Sequence, residues 1–329
     1  MKSFWSQNNK KPFFVLAPMD DVTDTVFREI VASVGSPDVT MTEFASTDGY
    51  AHPKGRPSVE RRLIVNNSEK EMKVPIVAQI WGNNPDNYRE MAKDLAASGE
   101  FVGIDINMGC PEKGIVKRGC CGGLIKEENW DNAAQIIKAT KEGAGNLPVS
   151  VKTRIGVNRI ITENWISFLL EQDIAALTIH GRTVKEMSKV PAHWDEIKKA
   201  VELRDKIAPA TIIIGNGDVE NIEHGKKLAQ ESGVDGIMIG RGVLRDIQAL
   251  TEAPQEMTAA DKIRLFENHL KLYQDTWGDT KSFAPMKKFA KLYINGFPGA
   301  VEIRSRIMES HSYDEAMEVL KKISIAKVQ

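Results

Sequence analysis

With 329 residues, 42% of them hydrophobic and 27% charged, the chain has material for a large core and none of the bias of a disordered, collagen-like or disulfide-stapled protein. The net charge of −1 conceals an asymmetry: residues 258–329 carry 12 Lys and Arg against 9 Asp and Glu, leaving the first 257 net acidic. The opening stretch MKSFWSQNNKKPFFVLAPMDD is interrupted by Pro18 and ends in two aspartates, which fits neither a secretory signal nor a membrane span, so the expected location is cytoplasmic, with reduced thiols.

From residue 13 onward, short apolar or β-branched runs alternate with amphipathic stretches of helical period. The runs are FFVLA (13–17), VTMTE (39–43), VPIVAQI (74–80), VGIDIN (102–107), PVSVKTRI (148–155), AALTIH (175–180), TIIIGN (211–216) and DGIMIG (235–240). Between them, PDNYREMAKDLAAS (85–98) and NWDNAAQIIKATKEG (129–143) space apolar residues three and four apart, which predicts helices. Eight βα units in about 250 residues predict an α/β protein built on a (β/α)8 TIM barrel, here over 1–250. After TEAPQEMTA (251–259) the period becomes helical throughout, with Thr258, Pro298 and Ser312 as helix starts, predicting a small all-helical C-terminal domain over 251–329.

In a TIM barrel the chemistry gathers where the strands end. The eight predicted ends are Pro18-Met19, Glu43, Gln79, Asn107 to Cys110, Lys152 with Arg154, His180, Asn216-Gly217-Asp218 and Gly240-Arg241. Any one of these is as well explained by capping as by function, but polar or backbone-exposing groups at all eight define a candidate rim. GNGDVEN and GRGVL follow strands seven and eight, where TIM barrels commonly hold phosphate, so Gly217, Gly240 and Gly242 offer open backbone and Arg241 a charge-assisted bond.

The remaining rim residues suit a flavin: Gln79 for the edge of a pyrimidine-like ring, Lys152 for the negative charge of a reduced flavin, and His180 for the same carbonyl region or the phosphate. A salt bridge from Lys152 to Asp105 is the bland alternative. No G-x-G-x-x-G follows a strand, which argues against a tightly held dinucleotide. All three cysteines lie in DINMGCPEKGIVKRGCC (105–121), in a spacing that matches no metal-ligand pattern, so no metal is expected. A free thiol is mostly protonated at neutral pH, which makes Cys110 a candidate general acid, whereas Cys120 and Cys121, among glycines, suit structural roles.

LAPMDDVTDTVFR, AQIWG, INMGCPEKGIVKRGCCGGLI, VSVKTRIG, IHGRT, GNGD and GRG occur in the order and at the spacings found in one family: the chain resembles the flavin-dependent tRNA-dihydrouridine synthases over the whole barrel. The tail KKFAKLYINGFPGAVEIRSRI is similar to that family's tRNA-recognition domain. The resemblance implies FMN held by Pro18, Met19, Asp20, Gln79, Lys152, His180, Asn216, Gly217, Asp218, Gly240 and Arg241, with NADPH as a transient reductant. It further implies a tRNA substrate in which a uracil receives hydride at C6 from the reduced flavin and a proton at C5 from Cys110. Asn107 and Arg154 would then help hold the base or flavin, while Lys287, Lys288 and Arg304 would grip RNA. A monomer without a metal is the accompanying expectation. The chain departs from the usual pattern at Ser188, Val190 and His193, and again at Cys121 and Gly122, positions that bear on where the substrate lies.

Residues 281–306 hold six basic residues against one acid, Glu302, with Phe283, Phe289, Tyr293 and Phe297 interleaved. Alone, those aromatics suit a helical core and the cations a solvated face. Three rival functions stay open: an FMN-dependent barrel acting on a free pyrimidine or another small enone, a Schiff-base enzyme using Lys152, and a catalytically idle tRNA-binding protein.

Overall fold

The computed structural model describes residues 4–7 and 11–326. Nine strands run parallel: β1 (Phe13–Leu16), β2 (Val39–Met41), β3 (Ala45–Ser46), β4 (Ile76–Trp81), β5 (Gly103–Met108), β6 (Val149–Arg154), β7 (Ala176–His180), β8 (Ile212–Asn216) and β9 (Gly236–Ile239). β2 pairs with both β1 and β4, and β9 closes back on β1, so eight strands form a complete barrel, with β3 a two-residue strand paired beside the end of β4. The eight expected strands are these eight, within a few residues at their ends. Closure leaves none of the eight barrel strands with an open edge, β3 alone among the described strands pairing on one side only, and helices cover the outer face.

The two-residue period of each strand sorts its side chains between two cores. Phe14, Leu16, Ile104, Ile106, Val151 and Ile213 point outward into the layer between strands and helices, whereas Val15, Ala17, Val39, Met41, Val77, Ile214 and Met238 fill the barrel. Below them Trp5, from the short helix Phe4–Gln7, packs on Phe13 with ring centroids 6.0 Å apart and is 1% exposed. Followed upward, the inward series turns polar: Val77 gives way to Gln79, Ile214 to Asn216, and on β5 and β6 Asp105, Asn107, Ser150 and Lys152 occupy inward positions. The lower half of the barrel is thus an apolar core, and its upper half is the wall of a site.

The outer helices follow the expected pattern. Pro85–Ser98 begins on an Asn84 cap with Pro85 in the first turn, ends on left-handed Gly99, and buries Tyr88, Met91, Ala92 and Leu95, one stripe at helical spacing. Trp130–Ala144 packs beside it. After the barrel come four helices, Ala259–Trp277, Ala284–Tyr293, Ala300–Glu309 and Tyr313–Ala326, the first started by a Thr258–Asp261 capping box. Two of the interleaved aromatics belong to the core: Phe289 stacks on Phe27 of the barrel helix Thr25–Val34 at 5.0 Å, and Tyr293 stacks on Phe266 at 5.2 Å. Polar bonds complete this docking, from Trp277 Nε1 to Asp24 (2.9 Å) and from Asn66 Nδ2 to Thr276 Oγ1 (2.9 Å). Among the described residues no helix is long and apolar enough to cross a membrane.

Candidate active site

The register of the barrel assembles the rim. Gln79 lies beside Asp105, Asn107 beside Lys152, and Arg154, His180 and Asn216 form one row across β6, β7 and β8. Pro18, Met19, Gln79, Asn107, Cys110, Lys152, Arg154, His180, Asn216, Gly217, Asp218, Gly240 and Arg241 all line one cavity at the C-terminal mouth. Residues from every part of the chain between 18 and 241 converge there because parallel strands all end on the same side.

Cys110 is positioned by its backbone. The Asn107 side chain accepts from the N–H groups of Gly109 and Cys110, both at 3.0 Å, and donates through Nδ2 to Gln79 Oε1 at 3.1 Å. Arg154 Nε donates to Gly109 O at 2.8 Å, and Gly122 N to Cys110 O at 3.2 Å. The thiol is left partly exposed at the cavity, and burial, partly offset by the Glu112 N–H and by Arg154, pushes its pKa up. Cys120 and Cys121 are buried, Cys121 with a left-handed backbone at the start of the tight turn Cys121–Ile125.

The cavity is rich in positive charge. Lys152 is held down to about 8 by burial and then by Arg154, although Asp105 pulls the other way. The bland alternative for Lys152, a salt bridge to Asp105, does not form: Asp105 accepts from Gln79 Nε2 and Ser150 Oγ, both at 2.7 Å, and Lys152 Nζ donates instead to Asn216 Oδ1 at 3.2 Å. Burial raises Asp105 to about 6, and burial with neighbouring cations lowers Arg154 to about 10. His180 is pushed well below its ordinary value by burial and then by Arg154, Lys152, Arg182 and Arg241. Burial works to raise Asp218, but bonds from Arg182 and the Ala192 N–H hold it low. Cations that depress one another in a water-poor site favour an anionic ligand.

Other expected residues lie elsewhere. Asp20 does not line the cavity; it pairs with Arg62, which also reaches Glu43 at 3.0 Å. Lys287, Lys288 and Arg304 stand on the C-terminal helices, their side chains bonded to the carbonyls of Met308, Asp21 and Ile294. Arg304 lines a second cleft with Lys291 and Arg245, and Arg245 also borders the mouth cavity, so the two openings share a cationic edge. Phe44, Arg182 and Arg245 were not singled out from the sequence. Arg182 stands in the quoted IHGRT and is 2% exposed; the signal was present, but its partners Val190, Asp218 and His180 are brought to it only by folding.

A closed parallel barrel with its cavity at the C-terminal mouth of the strands is a TIM barrel, here with a cationic, thiol-bearing site. Morphinone reductase shares this fold, with a TM-score of 0.54 over 72% of this chain and 84% of that one at 10% identity. A structure of morphinone reductase in complex with tetrahydroNAD gives 0.50 at 12% identity, over the same shares of the two chains. The chain belongs to the dihydrouridine synthase (Dus) family, whose model matches residues 15–328. It is 45% identical over 321 residues to a probable tRNA-dihydrouridine synthase of Staphylococcus epidermidis (strain ATCC 35984), covering 97% of this chain and 95% of the relative. It is 44% identical to a probable tRNA-dihydrouridine synthase 2 of Bacillus subtilis (strain 168), covering 97% and 96%.

Proposed function

We propose that this protein is a tRNA-dihydrouridine synthase that uses FMN and NADPH to reduce the C5–C6 double bond of specific uridines in tRNA, with the barrel as catalytic part and residues 251–329 as tRNA-recognition part. The observation that carries the reading is Cys110, a partly exposed thiol kept protonated by burial, at the lip of a cavity whose buried lysine faces an amide rather than a carboxylate.

The residues present fit a flavin phosphate and ring. Gly217 has φ of +130°, and a Cβ there would lie 2.7 Å from Ala192 Cβ, so that turn requires glycine to keep its backbone open to the cavity. Arg241 adds charge at the rim, and Lys152 supplies a buried amine suited to a developing anion. Gln79 and Asn107, tied to each other, present a fixed amide edge. A reduced flavin held there by Gln79, Lys152 and Arg241 would supply hydride chemistry toward C6 of the uracil. Cys110 Sγ gives its proton to C5, which completes the addition of two hydrogens across the double bond. Arg154 holds the Cys110 loop in register. A uracil in folded tRNA leaves its stack to enter such a cavity, and surface cations gripping phosphates offset that cost.

Purified protein is expected to be yellow, to release FMN on denaturation, and to form dihydrouridine in tRNA from a deletion strain only when NADPH is supplied. Colourless protein, or equal reduction of free uracil, rejects this reading. Gly240→Ala is expected to fold with wild-type stability but retain less flavin, because the new Cβ meets the protein no closer than 3.4 Å, at Ala17, and projects at the phosphate end. Gly242→Ala behaves oppositely: its Cβ lies 2.7 Å from Glu220 O and 2.8 Å from Val219 O, so thermal stability falls, by about 1–3 kcal/mol for such overpacking.

Lys287 and Lys288 bond to backbone carbonyls, and among the described residues neither forms an ion pair with a carboxylate. Replacing both by alanine should weaken tRNA binding and lower the slope of log affinity against log salt by about two, with flavin content unchanged. An unchanged salt slope would show that these lysines do not touch phosphate.

A further inference from the structure

His180 closes β7 in the cavity wall, and Arg182 is buried close against it. Arg182 Nη1 lies 3.1 Å from His180 Nε2. A guanidinium carries only donors and remains charged, so Nε2 has to be the acceptor. The single proton of the ring then sits on Nδ1. Gly217 closes on the same Nε2 edge of the ring: a Cβ built there would stand 3.2 Å from His180 Cδ2 and 3.6 Å from Nε2. Nδ1 has no bonded protein partner among the described residues.

We propose that Arg182 is a positioning residue that locks His180 as the neutral Nδ1–H tautomer, so that the cavity meets an N–H donor at this point and not a lone pair. Arg182 is itself held from two loops, its own and the one after β8. Nε donates to Val190 O at 2.7 Å, and Nη2 pairs with Asp218, whose carboxylate also accepts from Ala192 N at 2.9 Å and Arg241 Nη2 at 3.3 Å. The charged groups around the imidazole are Lys152 and Arg154 from β6, Arg182 after β7, Arg241 after β9 and the Asp218 carboxylate after β8, which is taken up by Arg182 and Arg241; burial and the four cations disfavour an imidazolium. Protonating Nε2 would set N–H against N–H across the Arg182 contact. The use of the donor, toward a ring carbonyl or phosphate oxygen, rests on the flavin reading above; the tautomer does not.

Long-range proton–nitrogen correlation spectra of the purified holoprotein with 15N-labelled histidine test this, with His180 assigned by loss of its signals in His180→Gln. The expected result is a pyridine-type Nε2 and a pyrrole-type Nδ1 with no titration between about pH 5 and 8. An Nε2–H tautomer, or protonation within that range, overturns the proposal, and this wild-type spectrum decides even if a variant fails to fold. Arg182→Met is expected to mix the tautomers and bring the ring into titration, with Arg182→Lys, which keeps one cationic donor, partly restoring the Nδ1–H form. A pure Nδ1–H form in a folded Arg182→Met would remove Arg182 as its cause. Because the readout requires no tRNA, its failure is separable from failure of the proposed activity.

Discussion

Replacing Cys110 by alanine is expected to leave FMN bound and to slow uridine reduction by about 10²- to 10⁴-fold, the contribution of a positioned general acid. The flavin is expected to stay because the bonds that hold this loop come from the backbone, through Asn107, Arg154 and Gly122, and do not use the thiol. Single-turnover reduction of tRNA by the pre-reduced enzyme isolates the step from cofactor exchange. A proton donor works below its pKa and is lost as pH rises through it. Since burial places the Cys110 thiol above its ordinary value, the wild-type rate should hold through neutrality and fall only in alkaline solution, and the alanine variant should lack that limb. Full activity in the variant would eliminate Cys110 as the acid.

Glu69→Leu is expected to lower unfolding stability by about 3–5 kcal/mol, read as a lower denaturation midpoint in urea. Arg28 and Glu69 form a two-pronged ion pair, Nε to Oε1 at 2.7 Å and Nη2 to Oε2 at 2.8 Å, with side chains 0% and 4% exposed. Thr25 Oγ1 adds a third bond to the carboxylate at 2.7 Å. Removing the carboxylate leaves a buried guanidinium whose remaining bonds go to the carbonyls of Thr23 and Ile64. The cost is that of an uncompensated charge, so the double replacement Arg28→Met with Glu69→Leu should recover most of it. A single variant as stable as wild type would mean water reaches this pair. The site depends on it indirectly: it fastens the helix Thr25–Val34 to the segment carrying Arg62 and Asn66, on which the C-terminal helices dock.

Much of the architecture was legible because a parallel barrel repeats one simple pattern. Every strand is a short apolar run bounded by polar residues, and Pro85–Ser98 matches its expected limits because Asn84, Pro85 and Gly99 are local signals. The segment between β2 and β4 carried no such pattern: the strand Ala45–Ser46 and the short helices Thr47–Ala51, Arg56–Glu60 and Asn67–Glu71 are held by distant partners. Within the site, strand ends identified most of the lining, although Glu43 and Asp20 lie off it on Arg62. Their pairings were another matter: Lys152 turns to Asn216 because Gln79 and Ser150 occupy the Asp105 carboxylate, and Asp20 faces Arg62.

By itself, then, the order of residues determined that eight parallel strands would bring polar termini to one rim, and which residues those termini would be, because strand period and turn chemistry are local properties of the chain. Only the tertiary structure decided which donor meets which acceptor there: that Asn107 holds the Cys110 loop, that Arg182 sits behind His180, and that the cations outnumber their carboxylates. Hydrogen bonds act over about 3 Å and depressed pKa values require burial, and neither distance nor burial exists until residues far apart in sequence are packed together.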